Sequence, residues 1–301
     1  MKILEIGKVD LALLCYLNKE RYPFLLESVN HNVNNRYSIL FAFPSESIVL
    51  NSLSDFDFLN ELESQYKSSN LNSNLPFSGG WFVYLSYELI GQIEPILTRE
   101  LHTSELPIAY AVKIPSAIII DYKLNTTYLI DQDSDQSRID TILTDIELIK
   151  PIPEENILGE LSQENEDKFI SGVKACLDYI VAGDVFQVNL SRQWQYKLTK
   201  EIDSAVIYHA LKNANPAPFS ALVQYENFSI VSSSPERLLS VQDGVLQTRP
   251  IAGTHPRGEG SEDKAQKEDL INHPKEIAEH VMLLDLERND MGRVCEYGSV
   301  F

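Results

Sequence analysis

The sequence predicts an α+β fold, because strand patterns fill its first half and clear helical patterns appear in its second half. Residues 1 to about 130 contain short apolar and β-branched runs, separated by connections rich in Asn, Ser and Gly. A last helix is predicted from Lys275 to about Asp290, with Pro274 suited to its first position. An earlier helix is predicted before Gly183, a residue type that often ends helices. Its apolar residues at helical spacing are Phe169, Ile170, Val173, Leu177, Ile180 and Val181.

The strand-like runs of the first half predict one large sheet. These runs are residues 37–44, 81–85, 108–112 and 117–120. Between residues 131 and 167 the composition becomes acidic and polar, with Pro151 and Pro153 inside this stretch. We therefore predict a helix and a linker there, which join an N-terminal domain of residues 1–150 to a second domain of residues 165–301.

The composition is that of a globular protein with an excess of acidic residues. The 301 residues are 44% hydrophobic, and 44 Asp and Glu outnumber 25 Lys and Arg, for a net charge of -19. This charge argues against nucleic acid and anionic membranes as partners, since both attract clustered positive charge. Three widely separated cysteines favour a reducing compartment, and no apolar run reaches the length of a membrane span. We expect a cytoplasmic protein.

One acidic residue, Glu236, follows Pro235 among several predicted strands. The strand-like runs around it are residues 228–231, 238–241 and 245–248, the last two joined by an Asp243-Gly244 turn. Because proline has no N–H to give a strand ladder, we expect Glu236 at a strand end or bulge. Taken alone, an acid after proline is a solvated turn residue. The neighbouring motifs favour a functional role instead.

A strand is also predicted directly after Gly183. Its apolar residues Phe186, Val188 and Leu190 alternate with polar residues such as Gln187 and Asn189, so one face is apolar and the other carries amides and a hydroxyl. The polar face has two interpretations. It either faces water or lines a pocket for a small molecule.

In the last predicted helix, Glu279 falls on a face that is otherwise apolar, between Met282, Leu283 and Leu286. A carboxylate in such surroundings needs a cation or hydrogen bonds, because desolvation of an unpaired charge costs several kcal/mol. Glu276, one turn earlier, leans toward the same side. The pair is either a solvated face or, as we favour, a set of ligands for a hard metal ion such as Mg²⁺.

Four segments of the second half share their order and spacing with one protein family. They are residues 183–191, 234–237, 249–254 and 276–292. Together they resemble the chorismate-utilising enzymes, over about residues 165–301. The first half resembles the family's less distinctive N-terminal region at residues 79–82 and 85–88.

This resemblance implies an anthranilate synthase component I-like fold, with two large, mostly antiparallel sheets packed together and helices outside. The active site is then expected in the second half of the chain. The family continues past the position of Phe301, with further elements that hold a second metal-binding Glu and most of the substrate-carboxylate contacts. The resemblance therefore implies that the C-terminal part of the fold is absent from this sequence.

The function implied is that of aminodeoxychorismate synthase component I, with anthranilate synthase component I as the alternative. Asn189 and residues 217–221 resemble the first enzyme, which makes 4-amino-4-deoxychorismate for p-aminobenzoate and folate synthesis. One branch of that enzyme has a lysine nucleophile at the position of Ala252, whereas anthranilate synthases have alanine there. A second alternative is a truncated, non-catalytic remnant that binds tryptophan or a glutaminase subunit.

The resemblance also implies roles for individual residues. Glu236 is the expected general acid, and Glu276 and Glu279 are the expected Mg²⁺ ligands. Relatives that add water carry a lysine at position 187 as a base, and a glutamine cannot take a proton from water.

Chorismate and ammonia, or a glutaminase subunit that supplies ammonia, are the expected partners. The expected substrate-binding residues are Gln187, Arg249, Ala252, Gly253 and Thr254. The residues that resemble the walls of the family's tryptophan pocket are Ser28, Asn34, Asn35, Arg36, Tyr37, Pro218, Phe219 and Ser220, although they are equally consistent with ordinary core and turn positions.

Overall fold

The computed structural model describes residues 1–29, 36–66, 74–100 and 106–301, and its secondary structure is mixed. Its strands are β1 (Lys2–Ile6), β2 (Phe24–Glu27), β3 (Tyr37–Ala42), β4 (Ser47–Leu50), β5 (Gly80–Leu85), β6 (Ala109–Ile114), β7 (Ser116–Asp121), β8 (Thr126–Asp131), β9 (Gly159–Gln163), β10 (Trp194–Leu198), β11 (Phe219–Tyr225), β12 (Phe228–Ser234), β13 (Ser240–Gln242) and β14 (Val245–Gln247). Its helices are α1 (Leu11–Leu17), α2 (Phe58–Gln65), α3 (Ile90–Ile93), α4 (Gln136–Leu148), α5 (Glu166–Ala182), α6 (Ser204–Ala214), α7 (Ser261–Asn272) and α8 (Pro274–Gly292).

The strands form a large sheet, a smaller sheet and two two-stranded sheets, β9–β10 and the β13–β14 hairpin. The large sheet has seven strands in the order β1-β8-β7-β3-β2-β11-β12, and the smaller one has three in the order β4-β6-β5. All pairings in both sheets are antiparallel. The division into residues 1–150 and 165–301 stays a prediction, and β11 and β12 of the second stretch extend the sheet of the first.

The two sheets pack face to face through aromatic rings. Phe24 of the large sheet stacks on Phe82 of the small one, with ring centroids 4.1 Å apart. Tyr110 stacks on Tyr225 in the same way, at 4.6 Å. The next residue of β2, Leu25, points to the opposite face because side chains alternate along a strand. There it packs in a core with residues of α1, α4 and α6, so these helices lie outside the sheets. Each such fully buried side chain contributes about 2 kcal/mol.

The predicted helices of the second half are confirmed. The first, α5, begins after Asn165, whose side chain accepts the N–H of Asp167, and it ends at Gly183 in the left-handed conformation, with φ 81°. Helix α8 begins at Pro274 and continues to Gly292. Helix α4 occupies the acidic stretch between the two halves, as predicted. In the described ranges, which leave out 30–35, 67–73 and 101–105, no helix is both long and apolar enough to cross a membrane.

The strand predicted at residues 186–191 is wrong. Residues 185–193 adopt neither strand nor helix, and the next strand, β10, pairs only with β9 in the part of the chain that the structure describes. A strand needs a neighbour to receive its backbone hydrogen bonds, and the alternating pattern of side chains does not supply one. Phe186 is 90% exposed as a result, so the apolar face of this segment has no cover.

A buried carboxylate, Asp131, joins the large sheet to α4. It accepts hydrogen bonds from the hydroxyl of Ser116 at 2.6 Å, the backbone N–H of Asp135 at 2.8 Å and the guanidinium of Arg138 at 2.7 Å. Burial by itself raises the pKa of Asp131, but these hydrogen bonds outweigh it and hold the pKa at about 2. The charged form therefore stabilises the fold.

We predict that Asp131→Asn lowers the free energy of unfolding by about 2 kcal/mol at neutral pH, the value of the pKa shift. Because the folded-state pKa is depressed, this contribution is complete above pH 5 and fades as the pH falls from about 4 to 2. Urea denaturation at pH 7 and pH 2 measures it. Asp133→Asn is the matched control, since Asp133 also pairs with Arg138 but is exposed. Equal losses in the two variants would contradict this assignment.

Candidate active site

A cleft of 1080 Å³ lies between the end of β12, the β13–β14 hairpin and the second half of α8. It is open enough for a small molecule, and its lining mixes apolar and charged side chains. Two of the residues predicted from the sequence to form the site, Glu236 and Arg249, line it. Other lining residues are Pro218, Phe219, Arg237, Thr248, Ile251, Leu284, Asp285, Glu287 and Arg288.

Glu236 is held at the end of a strand, as predicted. Strand β12 ends at Ser234, and Pro235 stops the ladder because it has no N–H. The Ser234 hydroxyl accepts the N–H of Glu236 at 3.3 Å, which fixes the turn. The Glu236 carboxylate accepts the backbone N–H of Ile251 at 2.9 Å, so the acid is tied directly to the 249–254 segment.

The β13–β14 hairpin carries this second segment to the cleft. Its turn residues Asp243 and Gly244 both have positive φ, at 52° and 75°, the backbone of a tight two-residue hairpin. At the end of the hairpin, the Thr248 hydroxyl lies 3.1 Å from the Leu238 carbonyl and 3.1 Å from the Glu287 carboxylate. Arg249 therefore enters the cleft beside α8.

The first carboxylate of the predicted metal pair lies against Gly253. A Cβ at Gly253 would overlap the carboxylate of Glu276, so glycine leaves the space that this acid occupies. His273, one turn earlier, places a ring nitrogen 4.0 Å from the same carboxylate. The 249–254 segment and α8 thus meet at Glu276.

The second carboxylate of the pair contacts Gln187. The Gln187 amide donates to Glu279 at 3.0 Å and thereby connects residues 185–193 to α8. The apolar face around Glu279 is not buried, since α8 has no buried residue and Leu286 is 56% exposed. Met282 and Leu283 are half-buried, so the cover is partial.

Glu276 and Glu279 fit a magnesium ion by their chemistry. Mg²⁺ prefers oxygen ligands and is commonly held by one or two carboxylates, with water at the remaining positions. Two carboxylates at i and i+3 of one helix, one of them beside the space that Gly253 leaves, supply that set. Within residues 1–29, 36–66, 74–100 and 106–301, no group of three His, Cys, Asp or Glu residues could hold a metal. Further ligands would come from water or substrate.

Three of the residues predicted for a tryptophan pocket, Ser28, Tyr37 and Pro218, are in contact. The Ser28 hydroxyl is within 3.0 Å of the Tyr37 carbonyl and 3.1 Å of the Pro218 carbonyl. Ser220 is buried, and its hydroxyl donates to Ala217. Asn34 and Asn35 lie outside the described residues.

Arg36 and Phe219, also predicted for this pocket, have different surroundings. The Arg36 guanidinium forms a two-pronged pair with Asp121, with contacts of 2.9 and 2.6 Å. Phe219 lines the cleft with Glu236, because it pairs with Ser234 across the β11–β12 ladder. The start of β11 is thus shared by the candidate tryptophan pocket and the cleft.

Sequence reasoning missed several cleft residues, chiefly Arg237 and Glu287. Arg237 follows Glu236 directly, and Glu287 lies on α8 with Leu284 and Arg288. The spacing of residues 281, 284, 285 and 288 along α8 would have indicated one helical face, but no sequence pattern shows what that face meets.

The chain matches one protein family over most of its length. Residues 22–301 match the family model described as chorismate binding enzyme. The match includes almost the whole chain, and the chain therefore belongs to the chorismate-binding enzymes.

The relatives similar to this chain are named for two different enzymes, aminodeoxychorismate synthase and anthranilate synthase. Aminodeoxychorismate synthase component 1 of Bacillus subtilis (strain 168) is 36% identical over 260 residues, which cover 81% of this chain and 55% of that protein. An anthranilate synthase component I-like protein of Synechocystis sp. is 34% identical over 281 residues, with 91% and 58% covered. Anthranilate synthase component 1 of Thermus thermophilus is 33% identical over 311 residues, with 96% and 66% covered.

A solved structure supports the same fold. Anthranilate synthase component I from Streptococcus pneumoniae TIGR4 superposes with a TM-score of 0.71 at 28% identity, over 90% of this chain and 64% of that one. The predicted anthranilate synthase component I-like fold is therefore confirmed. The chain spans 55% to 66% of the length of the relatives named above, and part of their fold lies outside this sequence, as expected.

Proposed function

We propose that the protein containing this chain is an aminodeoxychorismate synthase component I, which aminates chorismate to 4-amino-4-deoxychorismate for p-aminobenzoate and folate synthesis. The observation that carries this proposal is the position of Glu236. It lies in the cleft at a strand end and is bound to the N–H of Ile251, beside Arg249. An acid so placed can face a small ring bound in the cleft.

The reaction needs an acid because the C4 hydroxyl of chorismate is a poor leaving group. Glu236 gives a proton to this hydroxyl as the carbon–oxygen bond breaks, and water leaves. Ammonia then supplies the new bond with its own electron pair and needs no strong base. Gln187 is consistent with ammonia as the nucleophile, because an amide cannot take a proton from water and ammonia needs no such base. Ala252 has no nucleophilic atom, so no covalent adduct with the chain forms.

The negative charge of the substrate must also be balanced in a protein of net charge -19. Glu276 and Glu279 would hold Mg²⁺, which would supply positive charge near the substrate carboxylates. We assign the backbone N–H groups of Gly253 and Thr254 and the guanidinium of Arg249 the same task. Gln187 holds the Glu279 carboxylate in place through its hydrogen bond.

We propose a glutaminase subunit as the source of ammonia, through transfer of the glutamine amide nitrogen, with free ammonium as a substitute. A cytoplasmic location is consistent with that partner. Anthranilate synthesis is the second candidate, since relatives with that name match at 33% and 34% identity and Ala252 fits it equally.

We also propose tryptophan as a ligand of the first half. The Ser28 hydroxyl next to the Pro218 carbonyl supports a pocket at the start of β11, with Tyr37, Phe219 and Ser220 nearby. If Arg36 belongs to this pocket, its guanidinium is still paired with Asp121 there. Ordinary packing is the alternative explanation of the same contacts.

The role of Glu236 predicts that Glu236→Gln, which keeps the shape and removes the acid, slows chorismate turnover by roughly 10²-fold or more. Steady-state consumption of chorismate with Mg²⁺ and ammonium measures this. Glu226→Gln, at the exposed β11–β12 turn, is the control and should keep full activity. A Glu236→Gln enzyme as fast as the wild type would exclude the acid role.

The metal assignment predicts that Glu279→Ala weakens Mn²⁺ binding by at least tenfold and removes Mg²⁺-dependent activity, while the protein stays folded. Electron paramagnetic resonance of free Mn²⁺ gives the affinity, and circular dichroism tests the fold. Glu268→Ala, an exposed acid on α7, should leave the affinity unchanged. Equal Mn²⁺ affinity in wild type and Glu279→Ala would refute the assignment.

Product analysis separates the two candidate activities. With chorismate, Mg²⁺ and ammonium, we expect aminodeoxychorismate and no chorismate-derived mass on the polypeptide, because Ala252 cannot form an adduct. A separate aminodeoxychorismate lyase should then release p-aminobenzoate. Fluorescent anthranilate and pyruvate without added lyase would support anthranilate synthesis instead, and isochorismate would also overturn the role given to Gln187.

A further inference from the structure

Five of the ten arginines of this acidic chain have a carboxylate partner among the described residues. Each of the five forms an ion pair within 4.0 Å. These pairs are Arg21–Asp145, Arg36–Asp121, Arg138–Asp131, Arg257–Asp263 and Arg288–Asp285.

Arg237 and Arg249 are two of the arginines without a carboxylate partner, and both line the cleft. Neither has a carboxylate within 4.0 Å among the described residues. The Nε of Arg237 is buried and has no hydrogen-bond acceptor in that same part of the chain. A buried donor without an acceptor is costly, and native proteins rarely leave one unsatisfied. Arg237 thus lacks an acceptor at a concave site.

We propose that Arg237 is a further substrate-binding residue, which binds a carboxylate of chorismate. The proposal rests on the proposed function and adds a residue to its site. A guanidinium presents parallel N–H groups that match the two oxygens of a carboxylate. Because Arg237 follows Glu236 directly, a carboxylate held there brings the substrate ring next to the general acid. Arg249, on the hairpin, is placed to contact the second carboxylate or the same one.

Glu287 is the competing partner within the chain. One of its oxygens accepts from Thr248, and the other is buried without a partner. It lines the same cleft as Arg237, but the two are not an ion pair within 4.0 Å among the described contacts. If Arg237 served Glu287, the removal of either residue would have the same effect. If Arg237 serves the substrate, the two variants differ.

The test is equilibrium binding of chorismate to the Glu236→Gln protein in the absence of ammonium, so that chorismate is not aminated, followed by calorimetry or intrinsic fluorescence. Adding Arg237→Met, which keeps the length of the side chain and removes the charge, should raise the Kd roughly 10- to 100-fold. Arg257→Met is the matched control, since Arg257 pairs with Asp263 and does not line the cleft, and it should change the Kd less than threefold. Arg237→Lys should bind better than Arg237→Met.

The outcomes separate the two proposals. A Kd within threefold of the parent for a folded Arg237→Met protein would overturn the role of Arg237 and leave the proposed function intact. An equal loss in Glu287→Gln would show that Arg237 only supports Glu287, and it would also overturn the inference. If Arg237→Met does not fold, the comparison of Arg237→Lys with Glu287→Gln decides in the same way. Absence of chorismate binding with Arg237 in place would overturn the proposed function itself.

Discussion

The hydrogen bond from the Ile251 N–H to the Glu236 carboxylate determines the arrangement of the candidate site. It joins two residues that are 15 positions apart in sequence, one after the end of β12 and the other after the end of β14. Pro235 ends β12 and turns the acid out of the ladder, and the tight β13–β14 hairpin returns the chain to meet it. Without this bond, a residue on a short two-stranded hairpin would have little to fix its position, because isolated hairpins are marginally stable.

Near that hydrogen bond, single side-chain contacts join α8 to two other segments of the chain. Gly253 leaves room for the Glu276 carboxylate, and Gln187 donates to Glu279, so α8 is joined to both the 249–254 segment and residues 185–193. On the other side, Phe219 lines the cleft while Ser28 contacts the residue before it. The seven-stranded sheet therefore connects the N-terminal half to the cleft through β11.

Local sequence patterns were sufficient to predict the elements whose geometry is set locally. Helices α5 and α8 followed from apolar spacing, a proline and a glycine, and the strand end before Glu236 followed from the missing N–H of Pro235. The strand predicted at residues 186–191 failed because its pairing depends on a distant partner. The cleft role of Arg237 was missed for a related reason. Arg237 lines the cleft because the hairpin and α8 bring residues 237 and 287 to one cavity. No local sequence pattern predicts which distant elements meet in this way.

The central claim is that chorismate binds in this cleft with its C4 hydroxyl at Glu236. A crystal structure of the protein with Mg²⁺ and an unreactive chorismate analogue tests it most directly. The account predicts the ring between β12 and α8, with the hydroxyl about 2.6–3.2 Å from a Glu236 oxygen. It also predicts a carboxylate of the analogue at Arg237 and the metal at Glu276 and Glu279. An analogue bound elsewhere, or one with its hydroxyl turned away from Glu236, would contradict the account.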